Sequence, residues 1–351
     1  MAEANTPIAK VNYLRIATEE AYCPPEMLKI YRKILDDRSV DDPGFNTMWG
    51  FYMSGTSARA RHIITSLQDL GEVRLNHMNE SGIDKQILAL TSPGVQIMDR
   101  DTAVSFAITA NDQLAEDIAR NPTRFAGLLA VAPQDPASAA REIQRGVTKL
   151  GLKGVIVNSH THNEYLDDPK FWPIFEAAEA HDVPIYLHPN TPSKGMIGPL
   201  LERGLDGAIF GFGVETGMHV LRIITAGVFD RFPKLKIVIG HMGEALPYWL
   251  FRLDYMHKAT VASNRYDTMR PLQRKISDYM RDNICITNSG VAWEPAIKFS
   301  QQVLGIDQVM YAMDYPYQYD PTEVAALDNM AMSDEDKKKF FQTNAERVFK
   351  L

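Results

Sequence analysis

Cysteine is nearly missing from this chain: of 351 residues only Cys23 and Cys285 carry thiols. That excludes a disulfide scaffold, and two cysteines without companion ligand spacing make no zinc site. Both read as packed thiols of a reduced, cytoplasmic protein. The chain also lacks any apolar run long enough to cross a bilayer, so no membrane partner is expected. Its opening, MAEANTPIAK, has no apolar core of signal-peptide type. Basic blocks are missing too: 37 Lys and Arg stand against 44 Asp and Glu, a net charge of −7. Nucleic acid and anionic membrane are therefore excluded as partners. No internal repeat, low-complexity tract or linker occurs. The glycine-rich GFGVETG (211–217) lacks the GxGxxG spacing after a strand, so a dinucleotide site is excluded.

What is present is an alternation of two textures. Short apolar, β-branched runs end in polar or Gly/Pro clusters, and longer amphipathic runs separate them. Eight strands are expected: YLRIAT (13–18), KQILALT (85–91), FAGLLAVA (125–132), KGVIVNS (153–159), PIYLHP (184–189), LKIVIGH (235–241), NICITNS (283–289) and QVMYAMD (308–314). Their length and composition suit buried parallel strands. Helices fit the gaps. DTAVSFAITANDQLAEDIARNP opens on Asp101 as its cap, and two further helices open on Asp-Pro, at Asp135 and Asp168. SDEDKKKFFQTNAERVFKL closes the chain as an amphipathic helix.

Eight strands with intervening helices predict an α/β fold, a (β/α)₈ TIM barrel, with an open doubly wound sheet as the alternative. The expectation is a single domain over 1–351 with two large insertions, about 23–82 and about 190–233, both on the C-terminal face.

Barrel chemistry sits at the C-terminal ends of strands. There stand Glu19 and Glu20 on strand one, His188 on strand five, His241 on strand six and Asp314 on strand eight. Carboxylate and imidazole together bind Zn²⁺, Mn²⁺ or Fe²⁺, and a metal ion offsets the cost of desolvating a carboxylate. Glu20, one position along the strand from Glu19, points the other way and is expected to take a structural role in an ion pair. The HTH at 160–162 reads as a loop.

ATEEAY, IYLHP, GHMGEALPYWLFRLD, AMDYP and NAERVF, in this order, together with AIFGFGVETGMH (208–219) and TNSGVAWEPAIKF (287–299), resemble the amidohydrolase superfamily. More narrowly they resemble its non-hydrolytic aromatic decarboxylase branch, whose 5-carboxyvanillate decarboxylases are the nearest likeness. The resemblance runs from about Leu14 to the C-terminus.

It implies a metal-dependent, non-oxidative decarboxylation of an ortho-hydroxy aromatic acid. One divalent metal is implied, Mn²⁺ first and Zn²⁺ second, held by Glu19, His188 and Asp314. Ala21 stands where many decarboxylases carry a histidine and hydrolases end a His-x-His. Three protein ligands therefore remain; a hydrolase such as a lactonase is the alternative, and Ala21 weighs against it. Asp314 is the implied proton-delivering acid. His241 would orient it or hold a metal-bound oxygen.

For an anionic aromatic substrate the pocket would use Arg59, with Arg61 as fallback. Arg252 would join it unless paired to Asp254. Tyr317, Tyr52, Phe212 and Thr91 are candidate wall residues. The branch implies a homo-oligomer, dimer or tetramer, with the ALPYWLF helix start (245–251) as a candidate interface.

Overall fold

A computed structural model describes residues 10–351. Residues 1–9, most of the opening decapeptide MAEANTPIAK, lie outside the described residues. Eight parallel strands form in the expected order: β1 (Ile16–Tyr22), β2 (Lys85–Leu90), β3 (Phe125–Gly127, continued by Leu129–Ala130), β4 (Val155–Asn158), β5 (Ile185–His188), β6 (Ile237–Ile239), β7 (Ile284–Thr287) and β8 (Val309–Met310). Every neighbouring pair is parallel. The ring closes where the Thr18 amide donates to the Tyr311 carbonyl at 3.1 Å and the Ala21 amide to the Tyr315 carbonyl at 2.7 Å. That closure decides for the barrel over the open sheet. It leaves no unpaired edge to protect.

The strands are buried on both faces, as continuous apolar runs require when helices cover the outside. β3 breaks at Leu128, whose amide still bonds the Leu88 carbonyl, while the next amide, that of Leu129, turns to the Gly154 carbonyl. β1 carries an irregularity between Ala17 and Glu20 and runs on to Tyr22, four residues beyond the expected end. There Glu19 and Glu20 both become buried.

Helix starts follow local capping. Asp135 accepts from the Ser138 amide and Asp168 from the Lys170 amide, as expected from Asp-Pro. The helix after β2 starts two residues earlier than expected. It spans Arg100–Arg120, and its cap is Asp99, not Asp101. Asp99 accepts from the Thr102 amide, and Asp101 becomes the acidic residue of the first turn, where the helix dipole favours it. The C-terminal segment is helical but interrupted by a π turn over Lys339–Thr343.

The first insertion is four helices, Pro25–Asp37, Pro43–Ser54, Ala58–Gln68 and Glu72–Ser81. Asp42 and Ser57 cap the second and third. Trp49 anchors this subassembly to the barrel. It is fully buried, lies 4.6 Å from the Tyr31 ring, and donates through Nε1 to the Ser92 carbonyl at 3.1 Å. The second insertion carries helices Lys194–Leu201, Gly211–Thr225 and Val228–Arg231. Cys23 and Cys285 are free and buried, as packing thiols should be.

Replacing Trp49 with Ala should lower unfolding stability by about 3–5 kcal/mol, the usual cost of emptying a buried aromatic site. Denaturant titration followed by circular dichroism checks this; a loss under about 1 kcal/mol would mean the insertion is held elsewhere.

Candidate active site

The end of β1 places Glu19 inside the barrel mouth, 4% exposed. One of its oxygens is occupied: Oε2 accepts from the Tyr186 hydroxyl on β5, and from Thr287 Oγ1 on β7 at 3.2 Å. The other, Oε1, is buried with no hydrogen-bond partner. Two imidazoles face it, His188 Nε2 at 3.4 Å and His241 Nε2 at 3.7 Å.

Each ring is oriented through its other nitrogen. His188 Nδ1 lies 2.8 Å from the Pro189 carbonyl, and His241 Nδ1 lies 2.9 Å from Glu244 Oε1. Those acceptors hold the Nδ1 protons and leave both Nε2 atoms directed at a carboxylate oxygen. This carboxylate–histidine arrangement is the one that fixes metal ligands.

The backbone is shaped for the purpose. His241, Met242, Gly243, Glu244 and Ala245 all adopt positive φ, a left-handed turn directly after β6. Such conformations cost energy for side chains other than glycine and persist where surrounding structure enforces them. Here the turn brings His241 and Glu244 together. Gly240, just before it, has no Cβ for a reason of space: one placed there would lie 2.4 Å from Glu19 Oε2.

Asp314, with φ +68°, follows β8 and completes the centre. One ligand atom each from Glu19, His241 and Asp314 lies within 4.8 Å of the others. Burial, with the Glu19 and Glu244 carboxylates nearby, lifts the Asp314 carboxyl to about 7, although His241 and Arg59 pull against it. Burial opposes charge on His241, yet Glu244 and Glu19 raise its pKa to about 10. Burial lowers that of His188.

Carboxylates that draw protons onto their neighbours this strongly also draw a cation. The unpartnered Glu19 Oε1 and the two oriented imidazoles make the donor set fit a divalent metal.

Outward from the centre, a pocket of about 1070 Å³ is lined by Asp314, His241, Glu244, Phe212, Arg252 and Trp249, among others. Arg252 is exposed on the helix Leu246–Ala262. Its proposed partner Asp254 is engaged elsewhere, accepting from the Ser277 amide at 2.9 Å and its hydroxyl at 2.6 Å.

On the side of the first insertion, Tyr317 and Thr91 share a hydrogen bond of 2.6 Å, and Tyr52 lies 5.7 Å from the Tyr317 ring. Arg59 donates to the Tyr317 carbonyl at 2.8 Å, and its charge reaches Asp314. Arg61 is turned away, donating to the Gly55 carbonyl at 2.7 Å. The geometry therefore separates two arginines that sequence left as alternatives.

The expected site residues thus converge, with two changes of emphasis. His241 belongs to the tight triad with Glu19 and Asp314, while His188 flanks it beside Glu19. Glu20 forms no ion pair. Its carboxylate accepts from backbone amides and from Gln86, and the nearest candidate cation, Arg74, donates instead to Gln86, Asp69 and Ala21. Sequence reasoning missed Tyr186 and Glu244. Tyr186 shares His188's face by the two-residue period of a strand. Glu244 lies in the quoted HMGE, but only the left-handed turn brings it to His241. The HTH segment is a loop, as expected, with His160 and His162 bonded to the Thr191 and Met98 carbonyls.

A closed parallel barrel with carboxylates and imidazoles gathered at its C-terminal mouth defines a metal-binding TIM-barrel enzyme. The family model for amidohydrolases matches residues 70–351, and the chain belongs to that family. Solved relatives extend the likeness over almost the whole chain. The 5-carboxyvanillate decarboxylase of Novosphingobium aromaticivorans, complexed with manganese and 4-hydroxy-3-methoxy-5-nitrobenzoic acid, is 58% identical with a TM-score of 0.95, covering 97% of each chain. The 5-carboxyvanillate decarboxylase of Sphingomonas paucimobilis is 42% identical with a TM-score of 0.91, covering 97% of this chain and 100% of that one. The γ-resorcylate decarboxylase of Rhodococcus jostii is 35% identical over 350 residues, 96% of this chain and 98% of that protein. The protein is a carboxy-lyase of this family, a metal-dependent aromatic acid decarboxylase.

Gly240→Ala should push Glu19 off its position and weaken Mn²⁺ binding by about 10- to 100-fold, as disturbed ligand support does. Titration followed by electron paramagnetic resonance measures it. Unchanged affinity would remove Glu19 from the ligand set.

Proposed function

We propose that the enzyme converts 5-carboxyvanillate to vanillate and CO₂ without an oxidant, in the breakdown of lignin-derived aromatics. The observation that carries the substrate is the 58% identity, over nearly the full chain, to a protein of that activity. The site chemistry supports it: a buried metal-type centre opens into a pocket with guanidinium groups and aromatic walls.

Mn²⁺ is the proposed ion, with Glu19, His188 and Asp314 as ligands and His241, which lies with Glu19 and Asp314, beside them. A bound divalent ion would supply Lewis acidity and a fixed point for the substrate's phenolic oxygen and adjacent carboxylate. The remaining work falls to this chain's side chains. Arg59 and Arg252 offer the two forks that suit carboxylate and phenolate–methoxy oxygens. Phe212 and the Tyr52–Tyr317 pair bound the ring and exclude water.

Direct loss of CO₂ would leave an aryl carbanion. Protonating the ring first avoids it. The ortho phenolate pushes its electron pair into the carbon bearing the carboxylate, and Asp314 delivers a proton to that carbon. The bond to the carboxylate then breaks, its electron pair restores aromaticity, and CO₂ departs. Asp314 is re-protonated from solvent. Desolvation beside an anionic substrate is what would favour a protonated Asp314 carboxyl at the moment of transfer.

We read the described chain as one barrel domain, supported by the continuous apolar core that joins the insertions to the strands. A cytoplasmic location is proposed from the two buried free thiols. No helix among the described residues is long and apolar enough to cross a membrane. A homo-oligomer, dimer or tetramer, is proposed from the exposed Tyr248, Trp249, Phe251, Tyr255 and Met256, which crowd one helix.

Mn²⁺-reconstituted protein should release CO₂ from 5-carboxyvanillate, and chelator-treated protein should not. Vanillate identified by chromatography checks the product; release only from resorcylates would reassign the substrate. Asp314→Asn should lower kcat by about 10²- to 10⁴-fold, the usual contribution of a general acid. Arg59→Ala should raise KM by about tenfold, the equivalent of one charged hydrogen bond. An unchanged KM would move the carboxylate contact to another group.

A further inference from the structure

Asp314 stands where the sheet has run out. β8 ends at Met310, yet Tyr311, Ala312, Met313 and Tyr315 are all essentially fully buried. Buried amides need partners. Only the first of them, that of Tyr311, finds a backbone partner, the Phe340 carbonyl at 3.0 Å.

The next amides are taken by side chains. The Ala312 amide donates to Asn288 Oδ1 at 3.1 Å, the Met313 amide to Glu20 Oε1 at 2.9 Å, and the Tyr315 amide to Glu20 Oε2 at 3.2 Å. The two oxygens of one carboxylate thus grip the residues on either side of Asp314.

The grip matters because Asp314 is in the left-handed region. A non-glycine residue there costs roughly 1–2 kcal/mol, and such strain survives only when neighbours impose it. Glu20 is itself held. Its Oε2 accepts from Gln86 Nε2 at 3.4 Å, and Gln86 Oε1 accepts from the fully buried Arg74 at 3.2 Å. Opposite, Gly290 leaves room for the Asp314 carboxyl: a Cβ there would lie 3.3 Å from Oδ2.

We propose that Glu20, with Asn288, is a positioning residue for Asp314: its bidentate grip on the Met313 and Tyr315 amides aims the Asp314 carboxyl at the reacting carbon. Glu20 touches neither substrate nor metal. The proposal rests on Asp314 as the proton donor. It explains why a second buried carboxylate follows Glu19 without a cation against it: the segment carrying Asp314 needs two acceptors a few ångströms apart, which a carboxylate supplies on one side chain. Glutamine is nearly the same shape but has one acceptor. Its NH₂ would face one of the two amide donors and release that side of the turn.

The test compares Glu20→Gln, Glu20→Asp, Asn288→Ala and Asp314→Asn with the unaltered enzyme on 5-carboxyvanillate, with melting temperatures taken alongside. Glu20→Gln should lower kcat about 100-fold, the cost of a misplacement near 1 Å, with KM within about threefold. It should also alter the electron paramagnetic resonance spectrum of bound Mn²⁺. Asn288→Ala and Glu20→Asp should show the same kcat-selective loss, and they carry the test if Glu20→Gln does not fold.

Kinetics and a Mn²⁺ spectrum like the unaltered enzyme in the folded Glu20 and Asn288 variants, with Asp314→Asn inactive, would overturn the positioning role and leave Asp314 as the acid. A kcat loss that follows only the unfolded fraction would overturn it equally. Turnover retained by Asp314→Asn would overturn the assignment of Asp314 itself.

Discussion

A single buried oxygen organises this molecule's chemistry. Glu19 Oε1 sits in the barrel mouth with no hydrogen-bond donor, facing two imidazole nitrogens whose protons are held on their far sides. Burial together with the Glu19 and Glu244 carboxylates concentrates negative charge around His241, and a cation among these groups offsets it. Tyr186 and Thr287 hold the other oxygen so that this one cannot turn away. Gly240 withholds the Cβ that would displace it. The protein has spent folding stability to keep a negative site empty of its own donors, which is the condition for holding a metal ion.

Around that oxygen, unusual backbone is concentrated at the site. The left-handed turn from His241 to Ala245 and the left-handed Asp314 both follow barrel strands at the C-terminal mouth. The rigid parallel barrel below makes this possible. Strand ends are positioned by many ladder bonds, so short strained turns beyond them can be over-determined by a few side chains. Glu244 steadies one such turn, and Glu20 with Asn288 steadies the other.

Much of the fold was legible because buried parallel strands are written as local apolar runs. All eight were found near their places, and Asp135 and Asp168 cap as their Asp-Pro signatures indicate. Boundaries drifted where a neighbour intervened. β1 ran past Thr18 because Glu20, Ala21 and Tyr22 pair with Leu88, Ala89 and Leu90 of β2, nearly seventy residues away in sequence. The helix after β2 began at Arg100 because Asp99, rather than Asp101, reached the Thr102 amide.

What sequence alone determined was the inventory: eight strands, and at their ends Glu19, His188, His241 and Asp314, with Arg59, Arg61 and Arg252 in the insertions around them. Identity and strand-end position are local properties and survive in a string of letters. Tertiary structure decided the assignments among them. It tied Arg59 to the Tyr317 carbonyl and Arg61 to the Gly55 carbonyl, gave Asp254 to Ser277, and brought His241 together with Glu19 and Asp314. It also turned Glu20 from an expected ion pair into a grip on backbone amides. Each of these depends on where a lone pair or a donor points after distant strands have been brought together by barrel closure, and no local pattern encodes that direction.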